Sequence, residues 1–130
     1  MADKEPKYVA PTVYPEMQKY WDATSEAKLL VKHCLDCGEH HHYPRDSCPF
    51  CFSPNTEWGN ASGHATIYSY SVMRRAAIPY VIAYVTLAEG PTMMSNIVGC
   101  DHDKLRIGQP VKLTFRPSEG GPALPMFTPA

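Results

Sequence analysis

Two closely spaced cysteine pairs carry the strongest chemical signal in the chain. Cys34 and Cys37 form one C-x2-C pair, and Cys48 and Cys51 form a second pair after a spacer of ten residues. Each pair can fold as a turn that presents two thiolates to one metal ion, so two pairs complete a tetrahedral site. We therefore predict a zinc site, with iron as the alternative metal for the same sulfur cage. Since four thiolates fill the coordination shell, the predicted role of the metal is structural.

The residues that follow the two cysteine pairs differ from each other. Gly38, directly after Cys37, has the conformational freedom that such a turn uses when it aims backbone N–H groups at sulfur. Phe52 holds the equivalent place after Cys51, so we expect the second turn to be less regular. The segment from 32 to about 62 is poor in aliphatic residues and therefore needs the metal to hold it together.

Four histidines lie close to the cysteines. His33 precedes Cys34, and His40, His41 and His42 lie inside the spacer. Any of them could replace a thiolate, but four cysteines already satisfy the metal, so we expect solvated histidines at the tip of the ribbon. Disulfides are the other alternative, and they require an oxidising compartment that no feature of the sequence signals.

The fifth cysteine is a candidate nucleophile. Cys100 lies two residues before His102, which could act as its base if the two side chains were hydrogen-bonded. The predicted strand ends at this point in an Asp-His-Asp turn, so a half-buried, inert thiol is the favoured prediction. A self-sufficient acyl transferase that uses Cys100 stays open as a minor alternative. The sequence has no glycine-rich phosphate loop, no G-x-S-x-G and no H-E-x-x-H motif.

One basic doublet is a candidate ligand site. Arg74 and Arg75 follow a predicted strand, and two guanidinium groups can hold a phosphate such as that of coenzyme A. Two solvated arginines are the alternative interpretation.

The overall charge speaks against a polyanionic partner. Twelve Lys and Arg against 13 Asp and Glu give a net charge of −1, which provides no general attraction to nucleic acid or to an anionic membrane. The alternative function is the binding of single-stranded nucleic acid. Zinc ribbons and small β-barrels often hold such strands by stacking the bases on aromatic side chains. The candidate stacking residues are Tyr68, Tyr70, Tyr80 and Tyr84.

One short helix is predicted near the start of the chain, from Pro15 to Ser25. Met17, Tyr20, Trp21 and Thr24 recur at helical spacing, and Pro15 suits the first turn. The large aromatic side chains on one face of so short a helix must pack against other protein. This can be the core of the chain itself or a partner subunit. The apparent exposure of Met17, Tyr20 and Trp21 counts in favour of the partner.

The second half of the chain has the alternation of β-strands. Five short strands within about 65 residues, with one helical turn at 101–105, indicate a small Greek-key barrel of the OB type. The predicted strands are 66–72, 80–87, 92–98, 111–115 and 124–127. Pro125 lacks an N–H group and is expected to confine the last strand to a sheet edge.

The predicted fold class is mainly β, and 130 residues suffice for one ordinary domain or two small modules. We divide the chain into an arm and short helix at 1–27, a rubredoxin-like zinc ribbon at 28–63 and a five-stranded OB-fold at 64–130. No run of about 18 apolar residues and no signal peptide is evident, so the expected location is the cytoplasm.

A set of short motifs in a defined order resembles a known family. The motifs are Cys34-x2-Cys37-Gly38, Pro44-Arg45-x2-Cys48-Pro49-x-Cys51, Ser62-Gly63, Tyr68-Ser69, Arg74-Arg75, Pro79-Tyr80-Val81, Glu89-Gly90, Ile107-Gly108-x-Pro110-Val111, Phe115 and Pro125-x-Phe127. Their order and spacing resemble the DUF35 proteins over 14–127. These proteins join an N-terminal helical segment, a zinc ribbon and a C-terminal OB-fold.

The resemblance implies a non-catalytic accessory subunit of a thiolase-superfamily enzyme that acts on acyl-CoA. Members associate with archaeal acetoacetyl-CoA thiolase and hydroxymethylglutaryl-CoA synthase, with steroid side-chain aldolases, with benzoylsuccinyl-CoA thiolase and with an acyltransferase for phloroglucinols. The implied partner is a thiolase-like catalytic subunit in a hetero-oligomer, a heterotetramer by this resemblance. The implied role of the small subunit is to stabilise the assembly and to shape the acyl-CoA channel, where Arg74 and Arg75 are the candidate contacts with coenzyme A.

Overall fold

The computed structural model describes residues 6–130, and these are mostly strand. The elements are, in chain order, β1 (Tyr8–Val9), a 3-10 turn (Pro15–Met17), α1 (Gln18–Thr24), β2 (Leu30–Cys34), β3 (His40–His41), β4 (Thr56–Asn60), β5 (His64–Met73), β6 (Tyr80–Leu87), β7 (Thr92–Ile97), a second 3-10 turn (His102–Lys104), β8 (Pro110–Arg116), β9 (Ser118–Glu119) and β10 (Leu124–Pro129). None of the helices in the described part of the chain is long and apolar enough to cross a membrane.

The predicted helix is present as the first 3-10 turn continued by α1. Pro15 begins the turn, where its fixed φ and missing N–H cost nothing. The expectation that the aromatic face is exposed is wrong, because Tyr20 is 1% exposed and Trp21 is 7% exposed. Met17 and Thr24 are buried as well. The chain itself supplies the cover, so this face is no evidence for a partner.

Hydrogen bonds attach the helix to the segment that follows β3. The Tyr20 hydroxyl lies 2.7 Å from Nε2 of His42. Nε1 of Trp21 donates to the Tyr43 hydroxyl at 2.9 Å, and that hydroxyl lies 2.9 Å from Sδ of Met17. The polar ends of the buried aromatic side chains are thus paired, as buried polar groups must be.

The ribbon is a three-stranded antiparallel sheet in the order β3-β2-β4. At its centre Lys32 is buried, with Nζ 4.4 Å from the centre of the Trp58 ring and 3.2 Å from the Thr56 hydroxyl oxygen. The aromatic face and the hydroxyl group take the place of the water that this ammonium group loses.

The described part of the N-terminal arm is docked. β1 pairs in parallel with β9, where Tyr8 lies opposite Ser118. The contact is close, because a Cβ atom on Gly121 would lie 2.5 Å from that of Ala10. Residues 1–5 of the arm predicted within 1–27 lie outside the described residues.

The barrel is closed, in the strand order β10-β7-β6-β5-β8. All five predicted strands occur, with ends that shift by up to two residues. The antiparallel pair β5–β6 contains an irregularity between Ile67 and Ser69, which leaves Tyr68 without an opposite residue. Such a bulge bends the strand, as closure of a small barrel requires.

The prediction that Pro125 confines the last strand to an edge is wrong. β10 pairs with β8 along six residue pairs and closes the barrel against β7 through one pair, Phe127 with Ile97. A single pairing on the β7 side leaves room for a residue without an N–H group. The Pro125 carbonyl also accepts a bond from the Ser95 hydroxyl at 3.0 Å, so side-chain bonding supplements the ladder.

One hydrophobic core joins the three parts of the chain. It contains Tyr20 and Trp21 from the helix, Val31 from β2 of the ribbon, and Ile67 and Phe127 from the barrel. Burial of these large side chains is the main contribution to stability that the described chain offers outside the metal site.

We predict that His42 makes the stability of the fold depend on pH. Burial lowers the pKa of His42 from 6.5 to about 4, because the charged ring would lose its water. The unfolded chain therefore binds a proton more readily than the folded chain below pH 6.5, and stability falls as the pH decreases towards 4. Between pH 7 and pH 5 the free energy of unfolding should fall by about 2 kcal/mol from this group.

Urea unfolding of the wild type and of His42→Gln at both pH values, with the metal content checked, measures this contribution. The wild type should show the larger decrease. Equal decreases in the two proteins would contradict the prediction.

Candidate metal centre and barrel-end cavity

The two cysteine turns have the same backbone conformation. The N–H of Gly38 donates to the Cys34 carbonyl at 3.0 Å, and the N–H of Phe52 donates to the Cys48 carbonyl at 2.8 Å. Gly38 has a φ of +80° and Phe52 a φ of +65°. The expectation of a less regular second turn is therefore wrong. The phenylalanine adopts the left-handed conformation that glycine adopts easily, at a steric cost.

The four cysteine sulfurs converge. Sγ of Cys34 lies 3.6 Å from Sγ of Cys51, and Sγ of Cys37 lies 3.7 Å from Sγ of Cys48. All four sulfur atoms lie within 4.8 Å of one another. A tetrahedral ion with bonds of about 2.3 Å to sulfur requires neighbouring sulfurs about 3.8 Å apart. The predicted ligand set therefore fits zinc in size and in donor chemistry.

The backbone of the first turn also favours thiolate at the site. The N–H of Cys37 points at Sγ of Cys34 at 3.5 Å and lowers the pKa of that thiol, while burial and the neighbouring sulfurs raise the pKa of the Cys37 and Cys51 thiols. In the second turn the N–H of Phe50 approaches Sγ of Cys48 at 3.4 Å. Such N–H contacts stabilise the negative charge that metal binding needs.

The expectation of solvated histidines is wrong for His41 and His42, while His33 and His40 stay partly exposed. His41 is 3% exposed, and His42 is half-buried against Tyr20. The ring of His40 stacks on His33 with centres 4.5 Å apart. Of these rings, that of His42 contacts the helix through Tyr20. Periodicity could not indicate this role because no aliphatic pattern marks the spacer.

A cavity with a volume of about 970 Å³ lies at one end of the barrel. Its lining includes Tyr80 from β6, Arg116 from β8, Cys100 and Arg74. Sequence reasoning singled out Arg74 and Cys100 but did not place them in one cavity, because β7 and the bend after β5 meet there only through the barrel closure.

The two arginines of the doublet have different surroundings. Nη2 of Arg74 donates to Oδ1 of Asp103 at 2.7 Å, and both side chains are more than half exposed. Arg75 is exposed and does not line the cavity. Contact with coenzyme A stays a prediction. The geometry favours Arg74 over Arg75 as the residue that would make it.

Cys100 is half-buried, as expected. Burial, together with the negative charge of Asp101, raises the pKa of its thiol, which keeps the sulfur protonated. Among the hydrogen bonds of the described residues, none joins Cys100 to His102. The geometry thus favours the inert thiol over the nucleophile.

Sequence reasoning missed a set of exposed apolar side chains. At the ribbon tip Leu35, Phe50 and Phe52 are 57–79% exposed, and on the barrel Tyr84 and Met94 are 48% and 62% exposed. Periodicity placed these residues in turns and strands but could not tell which sides the chain leaves uncovered.

We predict about one zinc ion per chain, bound by the four sulfurs. Cys48→Ser should lose the metal and unfold the ribbon, since little aliphatic burial replaces it. Cys100→Ser is the matched control and should keep full metal content. Elemental analysis by mass spectrometry, which also separates zinc from iron, and circular dichroism measure the result. A folded protein without metal would refute the prediction.

We also predict that substitutions at the two positions directly after the cysteine pairs change the free energy of unfolding in opposite directions. Phe52→Gly should raise the free energy of unfolding by about 1 kcal/mol, because the exposed ring contributes little packing and the strain is removed. Gly38→Ala should lower it by about 1 kcal/mol; no atom lies within 4 Å of the new Cβ, so only backbone strain acts. Denaturant titration of the zinc-bound proteins tests both signs, and two changes of the same sign would contradict this account.

Comparisons with known proteins identify both parts of the chain. Residues 21–57 match the model of the ChsH2 rubredoxin-like zinc ribbon domain, and residues 58–116 match that of the ChsH2 C-terminal OB-fold domain. A solved structure described as the Ltp2-ChsH2(DUF35) aldolase contains a chain that superposes with a TM-score of 0.79 at 31% identity. The match covers 92% of this chain and 98% of that chain.

Two curated relatives extend the comparison. A DUF35 domain-containing scaffold protein of Methanothermobacter thermautotrophicus is 39% identical, over 68% of this chain and 71% of its own length. A probable enoyl-CoA hydratase alpha subunit of Thermomonospora curvata is 31% identical over 98% of this chain, which spans only 42% of that subunit. The zinc ribbon match and the four converging sulfurs together support structural zinc. With its ChsH2-type ribbon and barrel, this chain belongs to the DUF35 family.

Proposed function

We propose that this chain is a non-catalytic, zinc-containing subunit of an acyl-CoA enzyme complex. Its partner is a thiolase-like catalytic subunit that cleaves or forms carbon–carbon bonds, in a reaction of the steroid aldolase or benzoylsuccinyl-CoA thiolase type. The small subunit stabilises that partner and shapes the channel for the acyl-CoA substrate.

One observation carries the proposal. The chain superposes on nearly the whole ChsH2(DUF35) chain of an aldolase whose name joins it to a second protein, Ltp2. The hydratase relative also supports a subunit of an acyl-CoA enzyme, since it is named as an alpha subunit and its name refers to an acyl-CoA. The aldolase name joins the DUF35 protein to Ltp2, and this chain spans only 42% of the hydratase subunit, so in both relatives the matched part accompanies other protein sequence.

The barrel-end cavity supports a share in substrate binding. Arg74 lies at this cavity and is held by Asp103 in an exposed ion pair, which contributes at most about 1 kcal/mol. A phosphate of coenzyme A can therefore replace the carboxylate at a small cost and gain a bidentate contact. Arg75 remains a candidate for a second, more peripheral contact.

The nucleic-acid alternative has weaker support. Tyr68 and Tyr84 are exposed as stacking would require, whereas Tyr70 is half-buried and donates its hydroxyl to the Leu105 carbonyl at 2.7 Å. The strands that bear Tyr68 and Tyr84 contain no Lys or Arg to neutralise phosphates.

We predict a stable complex when the chain is co-expressed with the thiolase-like protein encoded beside it. Native mass spectrometry should show both proteins in one assembly, a heterotetramer in the specific form of this proposal. Activity on an acyl-CoA should require both chains, and the isolated small subunit should show none.

Three outcomes would contradict the proposed function. The chain could remain alone beside its genomic neighbour. The isolated chain could transfer acyl groups in a manner that Cys100→Ser abolishes. A labelled single-stranded oligonucleotide could bind the isolated chain with an affinity that falls steeply between two salt concentrations.

A further inference from the structure

The outer face of three adjacent barrel strands carries no charge. β5, β6 and β7 contain no Asp, Glu, Lys or Arg, whereas the neighbouring β8 contains Lys112 and Arg116. Along a strand of an antiparallel sheet with one face in solvent, polar or charged residues on that face ordinarily alternate with buried apolar residues on the other face. An exposed sheet face without charge is therefore a candidate for contact with another protein.

The register brings the apolar side chains of this face together. Tyr84 pairs with Met94 on one side and with Ser69 on the other, and Tyr68 occupies the irregular position beside Ser69. Ile82 lies two residues before Tyr84 and on the same side of β6. Side chains at such paired positions lie about 5 Å apart, so the four apolar groups form one patch. We call the patch formed by Tyr68, Ile82, Tyr84 and Met94 the uncharged face.

We propose that the uncharged face is the surface on which the catalytic subunit docks. This inference rests on the proposed function and adds to it the residues of the contact. The partner surface must itself be apolar and uncharged, because any ion on it would lose water here without gaining a counterion. The exposed aromatic rings of Tyr68 and Tyr84 and the thioether of Met94 are residue types that interfaces favour.

The size of the face argues against a second copy of this chain. Three strands about 4.8 Å apart and about eight residues long present roughly 400 Å². Two copies paired through this face would bury roughly 800 Å² in total, below the approximately 1,000 Å² that a specific interface needs. A partner that extends beyond the face can reach that area.

The larger surface continues at the barrel end. Tyr80 pairs with Met73 at the end of β6 and also lines the barrel-end cavity. A subunit that covers the uncharged face and reaches past Tyr80 therefore meets the mouth of the cavity. This continuity links the contact to the place where Arg74 lies.

The test is a lysine substitution on the face with a matched control elsewhere on the barrel. Met94→Lys places an ammonium group in the contact, while Ile107→Lys changes an apolar side chain of similar exposure, 69% against 62%, in the turn before β8. Both sites are exposed, so both variants should fold and keep their metal. Met94→Lys should weaken the complex with the co-expressed catalytic subunit at least tenfold, and Ile107→Lys should leave it within about twofold.

Methionine oxidation gives a readout on the unaltered protein. Met94 should oxidise readily in the isolated chain and at least fivefold more slowly in the complex, with the adjacent Met93, only 3% exposed, as the slow internal reference. Equal oxidation of Met94 in both states would overturn the proposal.

The remaining outcomes separate this inference from the proposed function. A complex that tolerates Met94→Lys overturns the inference and leaves the proposed function in place. An isolated chain that forms a dimer, which Met94→Lys breaks, assigns the face to a second copy and overturns the inference as well. If the wild type forms no complex with the catalytic subunit, the proposed function fails and the inference fails with it.

Discussion

The convergence of four thiolates on one ion is the constraint on which the rest of the structure depends. The ribbon between Leu30 and Asn60 has few aliphatic side chains, and a sheet of three short strands cannot persist by hydrogen bonding alone. The metal fixes both cysteine turns, and the turns fix the start of the loop that carries His42 and Tyr43. Those two side chains then receive the hydrogen bonds of the helix.

The helix that is bonded to the ribbon also packs against the barrel. Tyr20 and Trp21 belong to the same core as Ile67 and Phe127, so ribbon, helix and barrel are one packed body. Burial of the aromatic face of α1 also explains why the helix is not the docking element that its sequence suggests. The surface that we propose for the partner, the outer side of β5, β6 and β7, is one that the core does not use.

The division of chemistry within the chain agrees with an accessory role. Four of its cysteines are committed to a closed metal site, and Cys100 is held as a thiol by burial and by Asp101. What the barrel offers instead is a cavity with Arg74 at its edge and an uncharged face beside it. The proposed accessory role rests on these two features.

The sequence by itself determined the ligand set, the short helix and the approximate position of every barrel strand. Each of these depends on local patterns, namely the spacing of Cys34, Cys37, Cys48 and Cys51, the helical spacing of Tyr20 and Trp21, and the period of two in the strands. Only the tertiary structure decided that Pro125 lies in a closed barrel, that His41 is buried and His42 half-buried, and that Phe52 adopts the conformation of Gly38. The reason is physical: burial and barrel closure depend on contacts between residues far apart in the chain, which no local pattern contains.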